Sequence, residues 1–434
     1  MKRVLFLSLA ALALTACGYR APMYKSYIPE VVDSTAYPGV APAYQQLAAL
    51  MEKDTGFAPQ EGNTVTMFPD RWQKWLQLKE DLDYASKSIY IDHYRFCADS
   101  TGSIVARILE EKAREGADVR VILDKGANTR EDRERMELMR SSGVKIQFFH
   151  KPKMLIDHIM LSKGFNRDHR KILILDGQTA YLGGRNIQDR YFLEWRDADI
   201  RITGPVVKDI TSVFEENQQR VAPEWGKAHV AKDLDYAARM DNIPEMTQYS
   251  DVTLQVVPES PTDKILPIRN CFEWAIEHAQ RYFWFYNPYT PPPASTLKAL
   301  KDAAARGVDV RWIAPANNDV SLEKGMGESL YKELLEAGVR IYEWQGEVLH
   351  AKQFMSDDYL LIIGSSNMDN LSFFLNYEVI TLVYNRDVTR DAATLYLKDL
   401  WENCEEMTLE EVQKWKAFRK LRNWIIRTFG GPVG

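Results

Sequence analysis

Cysteine is scarce in this 434-residue chain: Cys17, Cys97, Cys271 and Cys404 are all there are. With Cys17 assigned below to the N-terminal segment, an odd three remain, without framework spacing. That argues against a disulfide scaffold and predicts buried or free thiols. The seven histidines, the cysteines and the carboxylates form no group at metal-ligand spacing, so no metal is expected. Positive charge is also short, with 55 Lys and Arg against 61 Asp and Glu, a formal net charge of −6. An acidic chain is a poor nucleic-acid binder, because phosphate contacts supply much of that affinity. Beyond the first residues no run is long and apolar enough to cross a bilayer. What remains has ordinary globular composition, 45% hydrophobic and 27% charged, with room for two domains or two large halves of one.

The N-terminus stands apart. Lys2 and Arg3 precede an apolar stretch from Val4 to Leu14, and Leu14-Thr15-Ala16-Cys17 follows. This reads as a secretory signal, too short to span as a mature helix. Its end resembles the bacterial lipoprotein box, in which the cysteine is diacylated and becomes the new N-terminus. The expectation is therefore a signal over residues 1–17 and lipidation at Cys17, anchoring the chain on the exported side of a bacterial envelope membrane. Loss of Lys2 and Arg3 leaves 53 basic residues against 61 acids, a net charge of −8. Residues 18–60, with Pro22, Pro29, Pro38, Pro42 and Pro59, read as a tether.

Two similar halves follow, over 61–240 and 241–405. In the first, Ser88–Phe96 is predicted as a strand, Ser103–Arg114 as a helix, then strands at Asp118–Leu123 and Gly143–Phe149. The second repeats the order at Tyr282–Tyr286, Ser295–Ala305, Asp309–Ala314 and Gly338–Trp344. The echo is plainest between Arg114-Glu-Gly-Ala-Asp-Val-Arg120 and Ala305-Arg-Gly-Val-Asp-Val-Arg311. Helices ending at glycine and alternating with strands indicate an α/β duplication. The first half has about 14 extra residues before its motif histidine, around Lys151–Asn166, which could overhang a site or pack on their own apolar residues. From Val412 to Gly434 six basic residues occur with no acid, and Trp415, Phe418, Leu421, Ile425 and Phe429 recur between them. A basic amphipathic helix over 406–434 is predicted, fit either for an anionic membrane surface or for packing on the protein.

The strongest signal is a pattern that occurs twice: His169, Lys171 and Asp176, then His350, Lys352 and Asp357. Counted from each histidine, both copies carry Gly at +14 (Gly183, Gly364), Asn at +17 (Asn186, Asn367) and a carboxylate at +28 (Asp197, Glu378), without a gap. This is the signature of a duplicated half-site. Residues two apart on a strand share a face, so each His and Lys can address one phosphate together. Asp176 and Asp357 fall at the turns after these strands and are assigned to bracing the motif. Two histidines suit phosphodiester chemistry: a neutral ring attacks phosphorus, and a protonated one serves the leaving alkoxide. Lys171 and Lys352 would hold the non-bridging oxygens, with Asn186 and Asn367 adding hydrogen bonds. Asp197 would serve one ring and Glu378 the other, fixing the tautomers. His93, His229 and His278 are read as packed or surface histidines, and Trp284, Tyr286 and Tyr289 as core and rim aromatics.

The segments HRKILILDGQTAYLGGRN and HAKQFMSDDYLLIIGSSN resemble the two signature motifs of the phospholipase D superfamily, most closely those of bacterial cardiolipin synthases. SIYIDHYRFCADSTG, EWRDADIRITGP and LNYEV extend the likeness, which covers roughly 62 to 405. Leu371 departs from it, where the second motif of the family usually has arginine. The resemblance implies a duplicated phospholipase D-like α/β fold, with a mixed sheet in each half and the active site at the interface of the halves. It also implies a monomer with a two-half site, phospholipid partners at a membrane surface, and no cofactor. His169 would be the nucleophile and His350 the acid and base. The reaction implied is transfer of a phosphatidyl group to the glycerol hydroxyl of phosphatidylglycerol. Water as acceptor, in an exported phospholipase D or diesterase, is the alternative, and an inactive envelope lipoprotein a distant one.

Overall fold

A computed structural model describes residues 36–149, 166–227, 246–289, 291–318, 321–417, 419 and 421–423. The strands of the first half are β1 (Gln60–Met67), β2 (Ser88–His93), β3 (Asp118–Asp124), β4 (Lys145–Phe149), the short β5 (Arg167–Asp168), β6 (Lys171–Leu175), β7 (Thr179–Gly183) and β8 (Asp199–Thr203). Those of the second are β9 (Gln248–Glu259), β10 (Tyr282–Tyr286), β11 (Asp309–Pro315), β12 (Arg340–Trp344), β13 (Gln353–Ser356), β14 (Leu360–Gly364), β15 (Asn376–Tyr384) and β16 (Cys404–Met407).

From each outer side inward, the first half runs β4-β3-β2-β6-β7-β8-β1 and the second β12-β11-β10-β13-β14-β15-β9. The order is the same, and β1 pairs antiparallel with β9, so both halves share one mixed sheet. In each half three strands, β4-β3-β2 and β12-β11-β10, are parallel and joined by crossover helices; the remaining pairs along the sheet are antiparallel, including β16 outside β12, while β5 pairs parallel with β15. The first crossover helices, Ser100–Arg114 and Ala294–Ala305, are each followed by a glycine at positive φ, Gly116 (97°) and Gly307 (92°), before the next strand begins. Two apolar clusters lie under the helices, one per half. A third joins Ile172, Ile174 and Ile200 of the first half to Met355, Leu361 and Ile363 of the second. Burial of each such side chain is worth roughly 1.5–3 kcal/mol, so this central cluster binds the halves to one another.

Two expectations about the ends are corrected. The tether does not run to residue 60. Pro42–Tyr44 forms a short 3-10 turn, with Pro42 where a missing N–H is tolerated, and Gln45–Thr55 is a helix on Pro267–His278. It buries Leu47, Ala48, Leu50 and Met51 in the second half's core, and the Tyr44 hydroxyl donates to the Ser356 carbonyl at 2.9 Å. At the other end, residues to Met407 form β16, which pairs with β12, so the C-terminal segment does not start as a helix. Helix Leu409–Lys414 stops at Trp415, whose ring meets Tyr331 at 5.9 Å. Arg419, Arg422 and Asn423 then converge on the buried carboxylate of Glu328. This stretch is packed on the protein. The predicted signal and Cys17, the insertion before Asn166 with His158, most of the inter-half connection with His229, and residues 424–434 lie outside the described residues. Among the described residues no helix is long and apolar enough to cross a membrane.

Candidate active site between the two halves

The motif lysines begin or border the central strands: Lys171 opens β6, and Lys352 precedes β13. At the far ends of these strands Asp176 and Asp357 take positive φ (52° and 51°). The Asp176 carboxylate accepts from the N–H groups of Ser86, Lys87 and Ser88, at 3.0, 2.7 and 2.8 Å. Asp357 does the same for Gln280, Arg281 and Tyr282, at 2.6, 2.8 and 3.0 Å. Both are turn braces, remote from the histidines. A Cβ at Gly183 would fall on the carbonyl oxygen of Ala198, and one at Gly364 on that of Val379. The glycine at +14 is therefore required by the close approach of the backbone just after the +28 carboxylate.

Each histidine is tied to the opposite half. The His169 N–H donates to the carbonyl of Tyr377 at 3.0 Å, and the His350 N–H to that of Arg196 at 2.8 Å. The rings follow: His169 Nδ1 lies 2.8 Å from Glu378 Oε1, and His350 Nδ1 lies 2.8 Å from Asp197 Oδ2. A carboxylate only accepts, so each Nδ1 carries a proton and each Nε2 is left for chemistry. The carboxylate of one motif thus serves the histidine of the other. Both rings border one cavity of about 490 Å³, along with Asn186 and Asn367. Lys171 and Lys352 are buried beside the rings, each with its ammonium donating to the carbonyl of its own histidine.

Comparison with known proteins fits this geometry. The family described as "Cardiolipin synthase, PLD-like domain" matches residues 78–219 and 274–401. The chain belongs to this family. Among curated members, cardiolipin synthase from Listeria monocytogenes is 28% identical over 390 residues, 88% of this chain and 78% of the relative. Cardiolipin synthase 2 of Staphylococcus epidermidis is 28% identical over 369 residues, covering 84% and 73%. The crystal structure of phosphatidylserine synthase from Haemophilus influenzae has the same fold, with a TM-score of 0.64 at 13% identity, covering 85% of this chain and 93% of that one. The protein is accordingly an enzyme of the phospholipase D type with the duplicated α/β fold expected from its sequence.

Within this family frame the two rings sit in unlike surroundings. Tyr191, Trp195 and Tyr289 pack around His350, with centroids at 5.2, 5.5 and 5.7 Å, and Lys352 Nζ lies 2.9 and 3.2 Å from its two ring nitrogens. Burial, then Lys352 and Lys171, hold His350 well below the usual histidine range. His169 is the more open ring, its side chain 12% exposed against 4% for His350. It packs edge-on against Tyr94 at 5.0 Å. Burial lowers its pKa too, against the opposing pull of Glu378. Burial alone would raise Glu378, but His169, Lys171 and the Ser365 hydroxyl (2.5 Å) outweigh it and keep that carboxylate below its ordinary value. Ser372 also donates to Glu378, at 2.8 Å. Burial raises Asp197, which accepts from the N–H of Ala198 at 2.8 Å. Burial also pushes Lys171 down to about 7.

The asparagines are not equivalent either. Asn186 donates to the Tyr191 hydroxyl at 2.8 Å and accepts from the Arg95 N–H at 3.1 Å. Asn367 Oδ1 is buried without a hydrogen-bond partner. Sequence reasoning left Tyr94, Tyr191, Trp195, Ser365, Ser372 and Arg185 out of the site. The side chain of Arg185 ion-pairs with Asp199 and donates to the Asp197 carbonyl at 2.9 Å. Arg185, Tyr191, Trp195, Ser365 and Ser372 lie inside the two registers matched from the histidines, and Tyr94 inside SIYIDHYRFCADSTG, where a signal could have been sought. His93 is buried beside Lys171 and Lys74 and is held neutral at a pKa of about 3, chiefly by burial. His278 stacks on Trp274 at the surface, Tyr286 is core, and Tyr289 is a rim aromatic.

Proposed function

We propose that this enzyme is a membrane-associated phosphatidyltransferase of the cardiolipin synthase type, working through a phosphohistidine. His169 Nε2 attacks the donor phosphorus, and the bond from phosphorus to the leaving alkoxide breaks. His350 gives that oxygen its proton. The glycerol hydroxyl of phosphatidylglycerol then enters, returns a proton to His350, attacks phosphorus and frees His169. Lys171 and Lys352 hold the non-bridging oxygens, and Asn186 and Asn367 bind as charge redistributes. The greater openness of His169 supports its role as nucleophile, since that ring must reach phosphorus. His350 starts neutral against Lys352. A phosphate that draws this lysine to its own oxygens removes one cation from the ring and adds an anion, which favours the protonated ring.

One observation carries the reading: each half's histidine is oriented by the other half's carboxylate at 2.8 Å, so two opposed rings share one cavity. The cardiolipin synthases at 28% identity support phosphatidylglycerol as substrate. Lipidation at Cys17, on the exported side of a bacterial envelope membrane, supplies the surface attachment in this reading, with the chain acting as a monomer. Incubation with labelled phosphatidylglycerol and phosphatidylethanolamine, followed by lipid analysis, tests it. Cardiolipin is expected. Phosphatidic acid would make water the acceptor, and unchanged lipid would mean an inactive relative. Mass spectrometry of the mature N-terminus tests the anchor, which an unmodified N-terminus beyond Cys17 would contradict.

A further inference from the structure

The matched registers of the two halves allow their cavity walls to be compared position by position. Counted from the motif histidines, Gln188 corresponds to Asp369 and Arg190 to Leu371. Counted from the first parallel pair in each half, where Ser88 lies beside Asp118 and Tyr282 beside Asp309, Arg95 corresponds to Tyr289. All six residues line the cavity. The first-half wall therefore presents two guanidinium groups where the second presents a leucine and a phenol.

Among the described residues no carboxylate pairs with Arg95 or Arg190. Arg167 also lines the cavity, but Asp124 holds its guanidinium at 2.9 and 2.6 Å. The cavity's own carboxylates, Asp369 and Glu323, belong to the second half. Arg95 Nε is buried without a hydrogen-bond partner, and the Arg190 guanidinium lies 5.0 Å over the Trp195 ring. Arg95 borders Asn186: the Arg95 N–H donates to its side chain, and the N–H of Ile187 donates to the Arg95 carbonyl at 3.2 Å. A planar guanidinium is suited to phosphate oxygens, and the reaction at the two histidines uses neither of these.

We propose that Arg95 and Arg190 form a seat for a second phosphate, the one carried by the acceptor alcohol, while the first lies between His169 and His350. The class of acceptor is an alcohol whose hydroxyl is a few bonds from a phosphodiester anion. Leu371 and Tyr289, at the matching places of the other wall, offer no cation. This rests on the phosphatidyl-transfer reading for its substrate but not for its binding test.

The full chain is compared with Arg190→Leu, Arg95→Tyr and the double variant, which give the first wall the residues of the second. With tungstate saturating the site between the two histidines, titration calorimetry measures binding of sn-glycero-3-phosphoglycerol, inorganic phosphate and glycerol. The diester should bind wild type, about tenfold more weakly after each substitution, with glycerol silent. In the transfer assay, preference for the diester over glycerol as acceptor should fall by a similar factor. No diester binding by wild type, equal binding by the double variant, or inorganic phosphate binding as tightly as the diester would overturn the proposal. An unaltered acceptor preference would overturn it too. Arginine-dependent binding in a protein that turns over no lipid would sink the proposed reaction and leave the seat standing.

Discussion

Lys171 is almost fully buried, and with the ordinary lysine value near 10.4 its pKa of about 7 marks a charge held against the preference of its surroundings. The folded pKa is the depressed one, so the neutral form is favoured on folding. That stability is full above about pH 10.4 and is lost as pH falls toward 7. Lys171→Met should therefore abolish turnover yet stabilise the fold at pH 7, by on the order of 2–4 kcal/mol in urea unfolding. A destabilised variant would show that the lysine is instead paired to its advantage. The histidines follow the same sign. His93, His169 and His350 all have folded values below the unfolded value near 6.5. Their contribution is complete above about pH 6.5 and declines as pH drops. The urea midpoint should fall between pH 6.5 and 5, less steeply in His93→Gln. The acid limb of kcat/KM should lie below pH 6.5, because the nucleophile stays neutral there. A limb at or above 6.5 would refute the depressed His169.

At the scale of the elements, the motif aspartates join the signature without joining the chemistry. Each closes a strand turn at positive φ and collects three backbone N–H groups from the start of the neighbouring strand. Asp176→Ala leaves those donors unsatisfied and should lower stability by about 2–4 kcal/mol, while the folded fraction keeps most of its turnover per active site. Loss of turnover at full stability would make Asp176 a catalytic group instead. Period and turn residues made this placement readable in advance, as they did most strands: Tyr282–Tyr286 is as predicted, and Asp118–Leu123 ends one residue later, at Asp124. Errors came where local signals conflicted. Scattered prolines around residues 38–59 outweighed the apolar Leu47–Met51 that dock a helix on the second half. Helical spacing from Val412 onward hid the break at Trp415, which tertiary contact with Tyr331 fixes.

The molecule as a whole is a duplication closed through one sheet, and its site exists only because the halves exchange carboxylates. Much of that site was legible: eight residues around the two rings could be named from spacing alone, because a fixed register repeats, and the same register gave the remote braces Asp176 and Asp357. The crossing was not, since nothing local ties Glu378 to a histidine 209 residues earlier, or Asp197 to one 153 residues later. Nor could spacing reveal that the unlike residues at matched positions line one cavity. The direct test of the account is to quench turnover of substrate labelled in the retained phosphoryl group and map the label on the protein. The account predicts label on His169, none in His169→Ala, and accumulation in His350→Ala with a nitrophenyl donor, whose leaving group needs no proton. Label on His350, or steady turnover with no labelled histidine under conditions that trap a related enzyme, would contradict it.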